Sequence, residues 1–539
     1  IHADGGDGVL QIVVIAVAHL DGEPHAAHAH LVDAQLAVIA FALLIVQARD
    51  GRRRPALGNC FAHEWLGKRA EPEGISSPVK CKKLSGDALT HPPPFTHAAG
   101  ALTDLSPIRI ADLKIHSIAV ADPPLRSSYG RHQPYALRTI LELISEDGVI
   151  GINETYGGEE PARALLAVRE QLIGRDVFRV TGFLSSMVEG PGGDRSQTYH
   201  VPGENPLDAT TRTFAALEVA CLDLIGKTIG QPVCDLIGGR VRDEVPFSAY
   251  PFYKHAGGGG EGKDAREDEY GEALTPETLV AQTKRMIAIY GFKDIKFKAG
   301  VLEPDLEIET VKQMRREFGS GVPIRIDPNS AWTVETSIRV GRELREELSN
   351  GGYLEDPTAG MENMAAVRRG LLTAGIDTPL ASNVAVTCFG DLPAAIRQDA
   401  VQVVLCDHHY WGGMRQVQQL ARLCKTFGIG LSMHSNNHLG VSLMGMAHVA
   451  AATPHLSYAC DTHYPWQTAQ DEVVAGGRVP IVNGCVKIPD RPGLGVELDY
   501  DQLARLKERY AKCPYRKRDD EAEMRKHVDP NWKRVLPRW

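Results

Sequence analysis

Two lysines, Lys296 and Lys298, stand two residues apart in the run Asp294-Ile-Lys-Phe-Lys298. In a strand this spacing puts both ammonium groups on one face and Ile295 and Phe297 on the other. Crowded into a partly buried site, two ammonium groups lower each other's proton affinity, which would let Lys298 act as a base near neutral pH. Asp327, Glu355 and Asn383 close three successive short apolar runs. Two carboxylates and an amide oxygen, completed by water and substrate, suit an octahedral hard cation such as Mg²⁺. Singly, each acid could equally cap a helix, but three at regular spacing favour a ligand set. Glu362, in Gly360-Met-Glu-Asn363, is a second acid near enough to compete with Glu355 for the middle place. Asp407 and His434 end the next two runs; an imidazole held by a carboxylate has a fixed tautomer and a raised proton affinity, as a general acid/base requires. Ser435, Asn436, Asn437 and His438 crowd the same loop, and Asp461-Thr-His463 follows. So much polarity in a core is costly without a partner, which points to a bound polar ligand.

The elements that must position these groups repeat. The runs end at Lys298, Asp327, Glu355, Asn383, Asp407, His434 and Asp461, 24 to 29 positions apart. One strand, one loop and one helix fill such a period, and its repetition predicts a (β/α) barrel whose strand ends converge on the C-terminal mouth. No Gly-x-Gly-x-x-Gly or Gly-Lys-Ser/Thr follows any run, so a nucleotide-binding sheet has no support. Upstream, residues 108–120 alternate as a strand, and 139–152 read as two strand-like runs joined at Glu146-Asp-Gly148. Residues 161–172 and 209–225 have helical spacing, so about 105–245 reads as a small α+β domain. A charged, glycine-rich loop occupies 257–271.

Composition excludes several function classes. The 539 residues carry a net charge of −9, with 43% apolar and 24% charged residues. This is a globular balance with no basic block for nucleic acid or anionic lipid. The ten cysteines include no Cys-x-x-Cys pair, which fits reduced thiols and a cytoplasmic location. The early apolar run, Leu36 to Val46, is 11 residues, short of the roughly 18–20 that span a bilayer. No methionine precedes Met187, and eight of the twenty histidines fall in the first hundred residues. The reading is that residues 1–101 are upstream DNA translated by an overlong gene call, with a genuine disordered extension as the competing account.

The texts Ile326-Asp-Pro-Asn-Ser-Ala-Trp332, Glu355-Asp-Pro357, His434-Ser-Asn-Asn-His438, Asp461-Thr-His463 and Pro492-Gly-Leu-Gly-Val-Glu497, with the lysine pair, resemble the enolase superfamily. The likeness is to its mandelate racemase/muconate lactonizing enzyme branch and, within that, to the glucarate dehydratase family, over about 105–539. The resemblance implies an α/β fold, an enolase-like modified (β/α) barrel with an α+β capping domain. The cap would span 105–245, the barrel 246–495, and a segment returning to the cap 496–539, with 1–104 a disordered or spurious extension. It makes Lys298 and His434 the two bases, with Lys296 stabilising the substrate carboxylate, Asp407 orienting His434, and Asn436 in the catalytic set. It suggests substrate contacts from His132, Thr198, Tyr250, Phe252, Lys296, Asn329, His463 and Arg518. The metal would be Mg²⁺ on Asp327, Asn383 and either Glu355 or Glu362. The implied reaction is loss of water from D-glucarate, or from L-idarate, to 5-keto-4-deoxy-D-glucarate. His434 would take the proton of the first and Lys298 that of the second. Another acid-sugar dehydratase, a racemase, or a weakly active paralogue stays open. The expected partners are a small acid sugar and further copies of the chain, with no nucleic acid and no membrane.

Overall fold

The computed structural model describes residues 107–179, 182 and 209–539. The expected extension over 1–104 and the expected contact Thr198 lie outside the described residues. Strand β1 (Ile110–Ala121) pairs antiparallel with β2 (Tyr135–Ser145), with Ile115 opposite Leu141, and β2 pairs with β3 (Ile150–Tyr156). The turn falls at the Glu146-Asp-Gly148 signal, where Gly148 sits at φ +80°, a left-handed conformation that glycine enters without a Cβ clash. Helix α1 (Glu159–Leu172) opens with two acids and carries Arg169 in its last turn, matching the helix dipole. Its buried Leu165, Val168 and Leu172 join Leu141, Leu143 and residues of α2 (Ala209–Ile229), among them Leu217 and Leu224, in one apolar core.

Six parallel strands then follow one another in chain order within a second sheet. Helix α3 (Pro276–Tyr290) leads into β4 (Ile295–Lys298), α4 (Pro304–Phe318) into β5 (Ile324–Asp327), and α5 (Val334–Glu343) into β6 (Leu354–Glu355). Next come α6 (Met361–Thr373) with β7 (Leu380–Ser382), α7 (Leu392–Gln398) with β8 (Val403–Cys406), and α8 (Met414–Thr426) with β9 (Gly430–Met433), followed by α9 (Gly440–Ala451). Local chemistry sets the helix ends: Thr275 caps α3 in a capping box with Thr278, and Gly291 closes it in the left-handed conformation. The inward stripes, such as Val417, Leu420 and Cys424 of α8, are buried against the strands.

Two further segments curl the sheet toward closure. Residues 247–252 lie beside β4 through parallel bridges Ala249 to Ile295 and Phe252 to Lys298. On the far side, residues 457–461 run along β9, with Asp461 N–H donating to Met433 O at 2.9 Å, and meet the first segment at Phe247 and Cys460. The stave at 247–252 is absent from the runs read in the sequence, because Pro251 and the lack of β-branched alternation hide it.

The α+β layer touches the barrel at its mouth. Glu154 of β3 is fully buried, pairs with Arg138 of β2 at 2.7 Å, and accepts the N–H groups of Leu439 and Ser442 at the start of α9. A carboxylate there neutralises unpaired amides at the positive end of the helix. Helix α10 (Tyr500–Lys512) packs on β1, and α11 (Asp520–His527) lies against the short ribbon of Arg126–Ser127 and Gly130–Arg131. The approach is close enough that a Cβ on Gly130 would sit 2.4 Å from the Asp520 carbonyl oxygen. Among the described residues no helix is long and apolar enough to cross a membrane.

Candidate active site at the barrel mouth

The strand ends bring a charged cluster together. Lys296 Nζ lies 2.6 Å from Glu355 Oε2, 2.7 Å from Asp461 Oδ2 and 3.7 Å from Asp327 Oδ2, and all four side chains are fully buried. Lys298 Nζ is 2.6 Å from Asp327 Oδ2 and donates to the Tyr250 hydroxyl at 3.3 Å. Both lysines therefore point into the barrel, as their spacing predicts. Crowding does not lower the proton affinity of Lys296, however: burial alone would, but Asp461 and Glu355 outweigh it and hold the ammonium well above its ordinary value. On Asp327 burial acts in the opposite direction and would raise the carboxyl, but Lys298 and Lys296 overcome it and keep that carboxyl below its ordinary range. Glu355 goes the other way, pushed well up by burial and by the neighbouring Asp327.

The oxygens fit a hard cation. Glu355 Oε1 and Asn383 Oδ1 are buried with no hydrogen-bond partner, and an orphaned buried oxygen is costly unless something positive meets it. Asn383 follows β7 beside β6, so its amide continues the row begun by Asp327 and Glu355. Asp356 braces this place by accepting from the Ser382 hydroxyl and from the backbone of Asn383 at 2.8 Å and Val384 at 3.0 Å. Burial lifts its carboxyl to about 6. Glu362 is exposed in the first turn of α6.

Lys298 and His434 line one cavity, with His132, Phe252, Asn329, Ser435, Asn436, His463 and Arg518 around it. His434 Nδ1 meets Asp407 Oδ2 at 3.2 Å. His132 is held by Asp122 at 3.0 Å, His463 by Ser435 at 2.9 Å, and Arg518 by Asp520 at 2.8 Å. The expected contact Tyr250 lies beneath rather than at the cavity wall: its hydroxyl donates to Asp327 at 3.3 Å and its ring packs under Lys296. A larger cavity adjoins through Asn436 and Arg518, and its wall carries Arg138, Arg163, Arg212, Arg516 and Lys517.

Several residues that shape the site carry no signal in the sequence. Glu307 of α4, fully buried, accepts the N–H groups of Gly300, Val301 and Leu302 at 3.0, 2.9 and 3.1 Å, tying down the loop that follows Lys298. Tyr156 of β3 donates to Asp407 at 3.2 Å, and His409 Nδ1 lies 2.5 Å from the other oxygen of that carboxylate. Asp356 alone was within reach, since it belongs to the Glu355-Asp-Pro357 text.

Comparison with known proteins gives the same architecture. Residues 111–238 match the family described as mandelate racemase/muconate lactonizing enzyme, N-terminal domain, and residues 278–503 match the enolase C-terminal domain-like family. A probable glucarate dehydratase of Streptomyces coelicolor is 44% identical over 80% of this chain and 99% of its own length. A D-xylonate dehydratase of Haloferax volcanii is 25% identical over 68% of this chain and 84% of its own. Among solved structures, an enolase of Pseudomonas fluorescens with bound magnesium, potassium and tartrate is 46% identical, has a TM-score of 0.74, and is matched over its whole length by 80% of this chain.

Proposed function

Because the chain belongs to the enolase superfamily, in its mandelate racemase/muconate lactonizing enzyme branch, we propose that it is a Mg²⁺-dependent acid-sugar dehydratase acting on D-glucarate and its epimer L-idarate. The observation that carries this reading is one cavity lined by two proton-transfer groups, Lys298 and His434, beside a buried oxygen cluster. The relative named as a probable glucarate dehydratase supports the choice of substrate.

Asp327, Glu355 and Asn383 would hold the cation. When bound, it would polarise the substrate carboxylate and so make the adjacent C–H acidic enough to lose its proton. The protein supplies the rest. Lys296, kept charged by Asp461 and Glu355, stabilises negative charge developing on the same carboxylate. His434, its Nδ1 turned to Asp407, takes the α-proton of D-glucarate through Nε2. Lys298 takes that of L-idarate from its own side of the cavity. Loss of the β-hydroxyl, helped by a proton, leaves an enol that becomes the α-keto acid. His132, Asn329, His463 and Arg518, which line the same cavity, would hold the remaining oxygens together with Thr198.

The test is to incubate the protein with D-glucarate or L-idarate and Mg²⁺, with and without chelator, and read α-keto acid. His434→Ala should abolish turnover of D-glucarate while sparing solvent exchange of the idarate α-proton, and Lys298→Ala should abolish idarate turnover. Each loss should be at least about 10²-fold, the usual weight of a positioned base. Wild-type rates in both variants, or no product from either acid sugar, would refute the assignment.

A further inference from the structure

We propose that His409 is a positioning residue for His434, acting through the shared carboxylate of Asp407, and that Tyr156 fixes the same carboxylate from β3. The proposal rests on the reading of His434 as a base only for its kinetic consequences.

Asp407 is buried, and its two oxygens are divided between two sets of donors. Oδ2 faces His434 Nδ1 and the Tyr156 hydroxyl, each at 3.2 Å. Oδ1 receives the backbone N–H of His409 at 2.7 Å and faces its Nδ1 at 2.5 Å. An ionised carboxylate only accepts, so both imidazoles must present N–H at Nδ1. For His434 this leaves the Nε2 lone pair for the cavity. The His409 ring is itself clamped: Nε2 meets Ser442 Oγ at 3.0 Å and the Glu154 carbonyl at 3.2 Å, and the ring stacks 3.9 Å from His408. The charged surroundings include the Glu154 carboxylate, Arg138 and Arg212. Tyr156 stays a donor, because burial and then Asp407 push its hydroxyl far above the usual tyrosine value. With the His409 ring donor removed, Oδ1 is left with the backbone N–H of that residue, and the carboxylate that sets the His434 tautomer is held less firmly.

Ligand atoms of Asp407, His408 and His409 lie within 4.8 Å of one another, so a cation could compete for this place. The geometry points to a shared proton instead. Two atoms bound to one zinc at about 2.0–2.1 Å sit roughly 3.3 Å apart, whereas Asp407 Oδ1 and His409 Nδ1 are 2.5 Å apart.

The experiment compares wild type with His409→Phe, which keeps the ring and removes the donor, and with His409→Asn, which returns an N–H near the place of Nδ1. In the Mg²⁺-loaded enzyme, His409→Phe should lower kcat on D-glucarate by about 10²-fold with KM within about 2-fold, leave idarate α-proton exchange near wild type, and be largely rescued in His409→Asn. Independently of any substrate, ¹⁵N-imidazole spectra, with His434 assigned by difference against His434→Gln, should show one Nδ1–H tautomer in wild type and a mixture in His409→Phe. An unchanged His434 tautomer overturns the proposal, whether or not the acid sugars are substrates. So does an equal loss on both epimers accompanied by a fall in melting temperature. Zn²⁺ alone stabilising wild type but not His409→Phe would replace the proposal with a metal site.

Discussion

Glu355 and Glu362 read alike in the chain and differ in surroundings: the first is fully buried against Lys296, the second exposed on a helix. The buried acid has an oxygen, Oε1, shut away from solvent with no hydrogen-bond partner, so the consequence of losing it is specific. Added Mg²⁺ should raise the melting temperature of wild type, since a ligand at about 100-fold its Kd adds about 2.7 kcal/mol to stability. Glu355→Gln should lose most of that rise and Glu362→Gln should keep it, as followed by differential scanning fluorimetry with and without chelator; the reverse pattern would move the ligand to Glu362. The lysine pair carries a related lesson. Their shared face follows from a period of two, whereas the raised proton affinity of Lys296 follows from Asp461, a residue six runs further along the chain.

Strand ends deliver the reactive groups, and buried acids on or beside the helices hold the loops that carry them. Glu307 shows the cost of the device. Burial pushes its carboxyl from the ordinary 4.5 to about 7, against the pull of three backbone N–H donors. The folded state then binds more protons than the unfolded one between those values, so this group's contribution to stability is highest below about 4.5 and is lost as pH rises through about 7. In Glu307→Gln that slope should vanish, and the stability deficit of the variant should shrink between about pH 5 and about pH 8 in thermal melts. A deficit that stays level or grows over the same range would show that the three N–H donors keep the carboxyl ionised in the fold. The same substitution should slow idarate turnover through the Lys298 loop, which assays at the two pH values would register.

Across the whole molecule, Asp471 is the point where distant segments meet. Its fully buried carboxylate accepts from Ala121 N–H at the end of β1, from Arg266 in the glycine-rich loop and from Arg509 of α10, each at 2.6 Å. Removing it strands the largely buried Arg266 guanidinium and leaves Arg509 to Asp264 and the Ala119 carbonyl, a loss of about 3–5 kcal/mol for a broken buried pair. Asp471→Ala should therefore unfold at lower denaturant and exchange amide hydrogens faster in α10 and the end of β1 than in β5 or β6. Uniform exchange throughout would show that Asp471 does not tie these segments together. Arg325 plays a comparable part inside the barrel, spanning Ser248 at 2.9 Å and the Ala459 carbonyl at 3.1 Å, between the rings of Tyr353 and Tyr458.

The sequence alone determined the class of chemistry and the repeating unit that presents it. A period of 24 to 29 residues ending in Lys, Asp, Glu, Asn, Asp and His admits few architectures, because each run must bury one face and every reactive end must then emerge on the same rim. The hairpin at Glu146 to Gly148 was legible for the same local reason, a turn type written into adjacent residues. Tertiary structure decided what periodicity cannot encode. It placed 247–252 as a stave despite Pro251, set Tyr250 under the cavity rather than in its wall, and left Glu362 on the surface. It also joined Tyr156 to Asp407 across 251 positions and His409 to Glu154 across 255. Periodicity reports which face of an element is buried. The partner that meets that face is chosen by the packing of segments far apart in the chain, and in this protein those partners meet Asp407, the carboxylate that faces His434.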